Sequence, residues 1–268
     1  MASPAGADSS GDILRLIGVS KRFGGLVAVQ DLSLSVRSGS ITSIIGPNGA
    51  GKSTVFNLIS GLYKPDRGTI DFAGENIAGL SPDRVQKRGI ARTFQNQRLF
   101  ANLSVLENVL IGYHSRLKAG LFGDIVKPPW VRQEERVARE RAMEALRLFG
   151  DRLAPRPDRR CTDLAYADRR LLELARAIVS APKLLMLDEP TAGMNPTELN
   201  DFMAYVRTIR DRGTTVLLIE HNLPVVMGVS EHIAVLDYGT KIAEGVPDEV
   251  RRNERVIEAY LGRRAASA

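Results

Sequence analysis

Three features of the sequence predict an α/β fold built on a mixed sheet. Short apolar runs alternate with helix-patterned segments through the second half, as in a parallel sheet covered on both faces. Apolar and polar residues alternate between turns near the N-terminus, so part of the sheet is antiparallel. A Gly-rich loop, residues 46–53, joins an apolar strand to a helix-like run.

The elements follow in order. Leu32, Leu34 and Val36 alternate with Ser33 and Ser35, the period of a half-buried strand. Residues 41–45 are an isoleucine-rich run that stops at Gly46, and residues 69–72 form another short strand after Gly68. A helix over 131–149 places Ala138, Ala142, Ala145 and Phe149 on one face, with arginines and glutamates opposite, and Gly150 where a helix stops. Helices are expected at 171–179, 198–210 and 223–229, and strands at 184–187, 215–219 and 233–236. The early strands and the later parallel core form one α/β domain over residues 12–262, with a helical subdomain inserted at about 93–180. Residues 1–11 and 263–268 read as tails.

The chain of 268 residues fits one large domain or two small ones. With 44% apolar and 25% charged residues it is of globular composition, which excludes a disordered, collagen-like or coiled-coil chain. One cysteine, Cys161, excludes an internal disulfide framework, and with no His or second Cys at metal-ligand spacing it reads as a structural thiol. No window reaches the ~18 apolar residues of a membrane span, and the N-terminus lacks the apolar stretch of a secretory signal. The net charge is +6. The arginines are scattered and alternate with glutamates on helix-patterned segments, so no nucleic-acid partner is expected.

Gly46-Pro47-Asn48-Gly49-Ala50-Gly51-Lys52-Ser53 fits G-x-x-x-x-G-K-[ST] in full. Its glycines let the backbone curl so that successive N–H groups face phosphate oxygens, and the next helix adds its positive end. Lys52 suits neutralising β- and γ-phosphates, Ser53 holding Mg²⁺, and Thr54 reaching a nearer phosphate. Further on, the run Leu184-Leu185-Met186-Leu187 ends in Asp188-Glu189-Pro190. Neighbouring strand residues face opposite ways, so the two acids can differ in role. Asp188 suits Mg²⁺, and Glu189 suits polarising the water that attacks the γ-phosphate.

With these residues in place, nearly the whole chain resembles the ATP-binding subunits of ABC transporters, most closely the ATPases of branched-chain amino-acid importers. Lys21-Arg22-Phe23-Gly24-Gly25, Arg92-Thr93-Phe94-Gln95, Ala192-Gly193-Met194-Asn195-Pro196 and Ile219-Glu220-His221-Asn222 carry the resemblance. It implies the ABC-type P-loop fold, with ATP and Mg²⁺ bound. It further implies that Phe23 stacks on adenine and that Gln95 touches Mg²⁺ and the attacking water. His221, beyond the last core strand, is implied to contact the γ-phosphate. The family's signature segment matches Leu164-Ala165-Tyr166-Ala167-Asp168, so Ala165, Tyr166 and Ala167 are implied to meet the ATP of a partner subunit. A glycine is usual at the Ala167 position. A methyl there restricts positive φ and close approach, so a weakened half-site is expected, and Ala167→Gly is expected to raise turnover.

The resemblance implies an ATP-hydrolysing subunit of an importer, peripheral on the cytoplasmic face of the membrane. Its implied partners are membrane-spanning permease subunits, a second ATP-binding subunit and, indirectly, an external substrate-binding protein. Two other readings keep the chemistry: another cargo (other amino acids, amides, urea or an exported lipid), or a soluble non-transport ABC ATPase. Intact Lys52, Asp188, Glu189 and His221 argue against a non-hydrolysing cassette. The stretch 117–130, with Leu121, Phe122, Ile125, Val126 and Trp130, reads either as a surface near the membrane subunit or as a loop packed on the helical subdomain.

Overall fold

A computed structural model describes residues 11–93, 99–116 and 129–266. The strands are β1 (Asp12–Phe23), β2 (Leu26–Arg37), β3 (Ile41–Ile45), β4 (Arg67–Phe72), β5 (Glu75–Asn76), β6 (Ile90–Arg92), β7 (Leu184–Asp188), β8 (Thr215–Ile219), β9 (His232–Asp237) and β10 (Thr240–Gly245). The helices are α1 (Lys52–Ile59), α2 (Pro82–Lys87), α3 (Val105–Tyr113), α4 (Pro129–Arg147), α5 (Tyr166–Ile178), α6 (Pro196–Asp211), α7 (Leu223–Val229), α8 (Pro247–Arg252) and α9 (Glu254–Ala266). The chain divides into two compact units. One holds the described residues up to Pro82 and from Arg210 onward; the other is Asp83–Ile209.

The first unit contains two sheets. One is antiparallel, in the order β2-β1-β4-β5. Leu14 pairs with Val36, Leu16 with Leu34 and Val19 with Leu32, and all six are buried. In the other sheet β3 lies between β8 and β9, parallel to both, and β10 adds antiparallel to β9. Every residue of β3 and β8 is buried, which a strand covered on both faces requires. Ile45, Val226, Ile233, Val235, Val250 and Val256 form one apolar cluster, with Leu223, Ile242 and Tyr260 packed against it. Helix α9 continues through residues 263–266, beyond the point where the sequence reads as tail; no proline interrupts it there.

The second unit is built on the parallel pair β6–β7, in which Ile90 meets Leu184 and Arg92 meets Met186. Helices α3, α4 and α5 pack against one another. Helix α4 buries Val131, Ala138, Ala142, Ala145 and Leu146 at helical spacing and exposes an Arg136–Glu140 pair. Within α3, the wholly buried Asn108 binds the turn of residues 100–104 that precedes the helix. Its amide nitrogen donates to the carbonyls of Phe100, Leu103 and Ser104, and its oxygen accepts from Phe100 N–H. Among the described residues, no helix is long and apolar enough to cross a membrane.

Candidate functional site

In the first unit the loop of residues 46–51 leaves the buried end of β3 and enters α1. At Gly46 the backbone has φ 151°, and a Cβ would sit 2.1 Å from the Leu236 carbonyl oxygen. Any side chain there would move the loop off β9. The turn closes with Ala50 N–H on the Pro47 carbonyl (3.1 Å) and Gly239 N–H on the Ala50 carbonyl (3.0 Å). Helix α1 starts at Lys52 after Gly51, without a side-chain cap, and the first N–H groups of a helix have no partner within it. Lys52 curls back along the loop, its ammonium donating to the carbonyls of Gly46 (2.7 Å) and Pro47 (3.0 Å). Asn48, Gly49 and Ser53 are exposed, Thr54 is half-buried, and the Ala50 methyl is buried, leaving Ala50 only its backbone to offer a ligand. A curled loop, an ammonium and an uncapped helix start suit an anion of several oxygens.

Phe23 ends β1 and is 41% exposed. Its ring meets Tyr63 edge-on at 5.1 Å between centroids, and the Lys21 ammonium lies 5.4 Å from its centre. Lys21 is held by Asp66 at 2.8 Å, and that bond, with the Arg22 N–H, keeps the Asp66 carboxyl below the usual carboxylate range. Phe23 is therefore a fixed, partly open aromatic face. His221 follows β8, which is not the last strand of the parallel core, because β9 lies on the far side of β3. Its side chain is 57% exposed. Behind it, Glu220 is wholly buried and accepts the His221 backbone N–H at 3.1 Å.

In the second unit Asp188 closes β7, 6% exposed, and its Oδ2 accepts from Arg92 at 2.8 Å. Glu189 does not continue the strand. Its φ is +46°, so a left-handed turn, rather than strand alternation, separates the two carboxylates. The turn is secured by Ala192 N–H on the Glu189 carbonyl and Met194 N–H on the Thr191 carbonyl. Ala165 caps α5 with no side-chain bond, and Tyr166 is its first residue. Ala167 is the second, buried in the helix with no positive φ. The conflict expected between its methyl and a left-handed backbone does not arise, because the segment is already helical. Gln95 lies outside the described residues, as do residues 117–128 of the stretch before α4.

The comparisons with known proteins bear on this geometry. The ABC transporter family matches residues 29–192, and the family described as branched-chain amino acid ATP-binding cassette transporter matches residues 240–266. The chain is 45% identical over 251 residues to the high-affinity branched-chain amino acid transport ATP-binding protein LivG of Salmonella typhimurium, covering 93% of this chain and 98% of LivG. It is 43% identical to the corresponding protein BraF of Pseudomonas aeruginosa, with the same coverage. It superposes with a TM-score of 0.81 on a nucleotide-free ATP-binding cassette from an ABC transporter, at 34% identity, covering 93% of this chain and 98% of that one. The chain belongs to the ABC transporter family. It is an ATP-binding member with the mixed α/β fold of the ABC cassette, and ATP hydrolysis is the family's activity.

For this ABC ATPase the structure adds residues that sequence reading left aside. Arg92, which the sequence shows as part of the Arg-Thr-Phe-Gln run, is the counter-ion of Asp188; both side chains are 8% exposed. Glu220 orients the backbone at His221, and Tyr63 supports Phe23. No spacing rule announces Arg92 or Tyr63, because those two are set by tertiary pairing, whereas Glu220 is the sequence neighbour of His221. Among the described residues no group of three His, Cys, Asp or Glu could hold a metal alone. Mg²⁺ is usually bound by one or two carboxylates together with substrate phosphates, and Asp188 at the end of β7 is a carboxylate of that kind.

Proposed function

We propose that this ATPase drives the import of branched-chain amino acids through membrane-spanning permease subunits, working as one of a pair of ATP-binding subunits on the cytoplasmic face. The observation that carries the reading is the likeness to LivG and BraF over nearly their whole length, including the C-terminal segment of residues 240–266. An external substrate-binding protein would deliver the cargo, which need not touch this chain.

The roles of the loop residues, Asp188 and Glu189 are read from their chemistry, and those of Phe23, Gln95, His221, Ala165, Tyr166 and Ala167 from the family resemblance. Backbone N–H groups of residues 46–54, Pro47 excepted, bind the phosphates: Gly46, Asn48, Gly49, Ala50 and Gly51 line the loop, Lys52 supplies positive charge, and Thr54 reaches a nearer phosphate. Phe23 offers the adenine a stacking face. Ser53, Asp188 and Gln95 would hold Mg²⁺, which when bound neutralises charge on the β- and γ-phosphates. Glu189 accepts a proton from the attacking water, and His221 orients the γ-phosphate. Ala165, Tyr166 and Ala167 present a helix N-terminus to the nucleotide of the partner subunit.

The test is uptake of leucine, isoleucine and valine in cells whose native copy is replaced by Lys52→Ala. Uptake should fall at least tenfold and return with the native chain. Unchanged uptake by a folded, assembled variant would leave the ATPase but discard the cargo.

A further inference from the structure

Tyr166 does something in this chain besides opening the signature helix. Its hydroxyl donates to the Ala192 carbonyl at 3.1 Å. Its ring lies on Gly193, where a Cβ would come within 3.3 Å of Cε1 and 3.5 Å of the hydroxyl oxygen. Gly193 has φ +79°, so both its backbone and the ring above it favour a residue without a side chain. From the other side the Arg170 guanidinium donates to the Tyr166 hydroxyl at 3.1 Å and lies 5.5 Å from the ring centre. Arg170 is itself ion-paired with Glu173 at 3.1 Å, both buried in α5. Ala192 belongs to the turn that begins at Glu189, since its N–H reaches the Glu189 carbonyl at 3.4 Å.

These contacts form a continuous path: the buried Glu173–Arg170 pair fixes the tyrosine hydroxyl, the hydroxyl fixes the Ala192 carbonyl, and that turn carries Glu189 in a left-handed conformation. A non-glycine residue at positive φ persists only where its surroundings over-determine it. We propose that Tyr166 is a positioning residue for Glu189, tying the turn of residues 189–194 to the N-terminus of α5 within the same chain. The inference rests on the reading of Glu189 as the base that polarises the attacking water. On this account the position of α5 is communicated to the base through one hydroxyl, and the exposed ring (45%) is held by its own chain.

The experiment is steady-state ATP hydrolysis by the full chain assembled with its membrane subunits, comparing wild type, Tyr166→Phe and Glu189→Gln. Tyr166→Phe keeps the ring and removes the tether. It should lower kcat about fivefold or more, because a small misplacement of a catalytic group is costly, and leave KM for ATP and the melting temperature within error. Gly193→Ala, whose methyl crowds the ring and moves its hydroxyl off the Ala192 carbonyl, should show the same split. Amide hydrogen exchange at residues 190–194 should quicken in Tyr166→Phe. A raised KM with unchanged kcat would make Tyr166 a nucleotide contact and overturn the tether; wild-type kinetics would overturn it as well. Wild-type turnover by Glu189→Gln would instead overturn the role of Glu189 on which the proposal stands.

Discussion

Arg92 and Asp188 hold each other at 2.8 Å with both side chains nearly out of solvent. Removing one member of a buried pair leaves an uncompensated charge, at a cost of about 3–5 kcal/mol. Arg92→Met should therefore lower unfolding stability by about 3 kcal/mol in urea titrations, with Asp188→Asn in the same background recovering most of the loss. At Ala167 the consequence runs against the sequence-based expectation. The residue is helical and its methyl is buried, so Ala167→Gly removes packing and helix propensity together. It should destabilise by about 1 kcal/mol, read as a lower urea midpoint, and the backbone gives no reason for turnover to rise. The sequence pattern singles out Asp188 and Ala167 as positions of interest. It does not show the ion pair, which joins residues 96 apart in sequence, or that α5 begins at Tyr166, ahead of the helix expected at 171–179.

Among the elements, legibility followed burial. Strand β8 and helix α7 occupy the ranges their residue patterns predict, since one is buried throughout and the other is bounded by Asn222 and Ser230. Strand β1 was harder to read, because its register shifts between Leu16 and Val19 and breaks the alternation that a regular strand would show. Strand β10 lies at a sheet edge with little burial, so it carries no apolar signature. Helix α3 carries a local signal in its sequence: Ser104 and Glu107 form a reciprocal capping box, and Ser104 holds the Glu107 carboxyl below its usual range. Its start also depends on Asn108. Asn108→Ala removes one donor from each of the carbonyls of Phe100, Leu103 and Ser104, which keep backbone partners, and removes the acceptor of Phe100 N–H; each such hydrogen bond contributes about 0.5–1.5 kcal/mol net. A loss of about 3 kcal/mol in unfolding stability is expected, together with faster amide exchange over residues 100–105.

On the scale of the whole molecule, the compact unit Asp83–Ile209 is wider than the helical insertion read at 93–180, because it includes β6, β7 and α6 with the three packed helices. The other unit draws on both ends of the chain, so its two sheets must be joined by contacts between residues far apart in sequence. One such joint has a pH dependence. Lys241 on β10 donates to the Ser33 carbonyl of β2 at 2.6 Å and is ion-paired with Glu244, which also meets His232 of β9 at 2.9 Å. Burial pushes the Glu244 carboxyl up, but the hydrogen bonds from His232 and Lys241 outweigh it and hold the group below its ordinary value of 4.5. A carboxylate with a lowered folded pKa contributes stability above its unfolded pKa and loses it as pH falls through the folded one. The contribution of Glu244 is thus complete at neutral pH, begins to fall as the pH approaches 4.5, and is lost below that as the folded carboxylate takes up its proton. Glu244→Gln removes the titration while keeping the shape. Urea midpoints measured from pH 7 to pH 3 should separate wild type from variant at pH 7 and converge as the pH drops. A gap between the two curves that stays constant down to pH 3 would mean that Glu244 holds the sheet joint by packing alone.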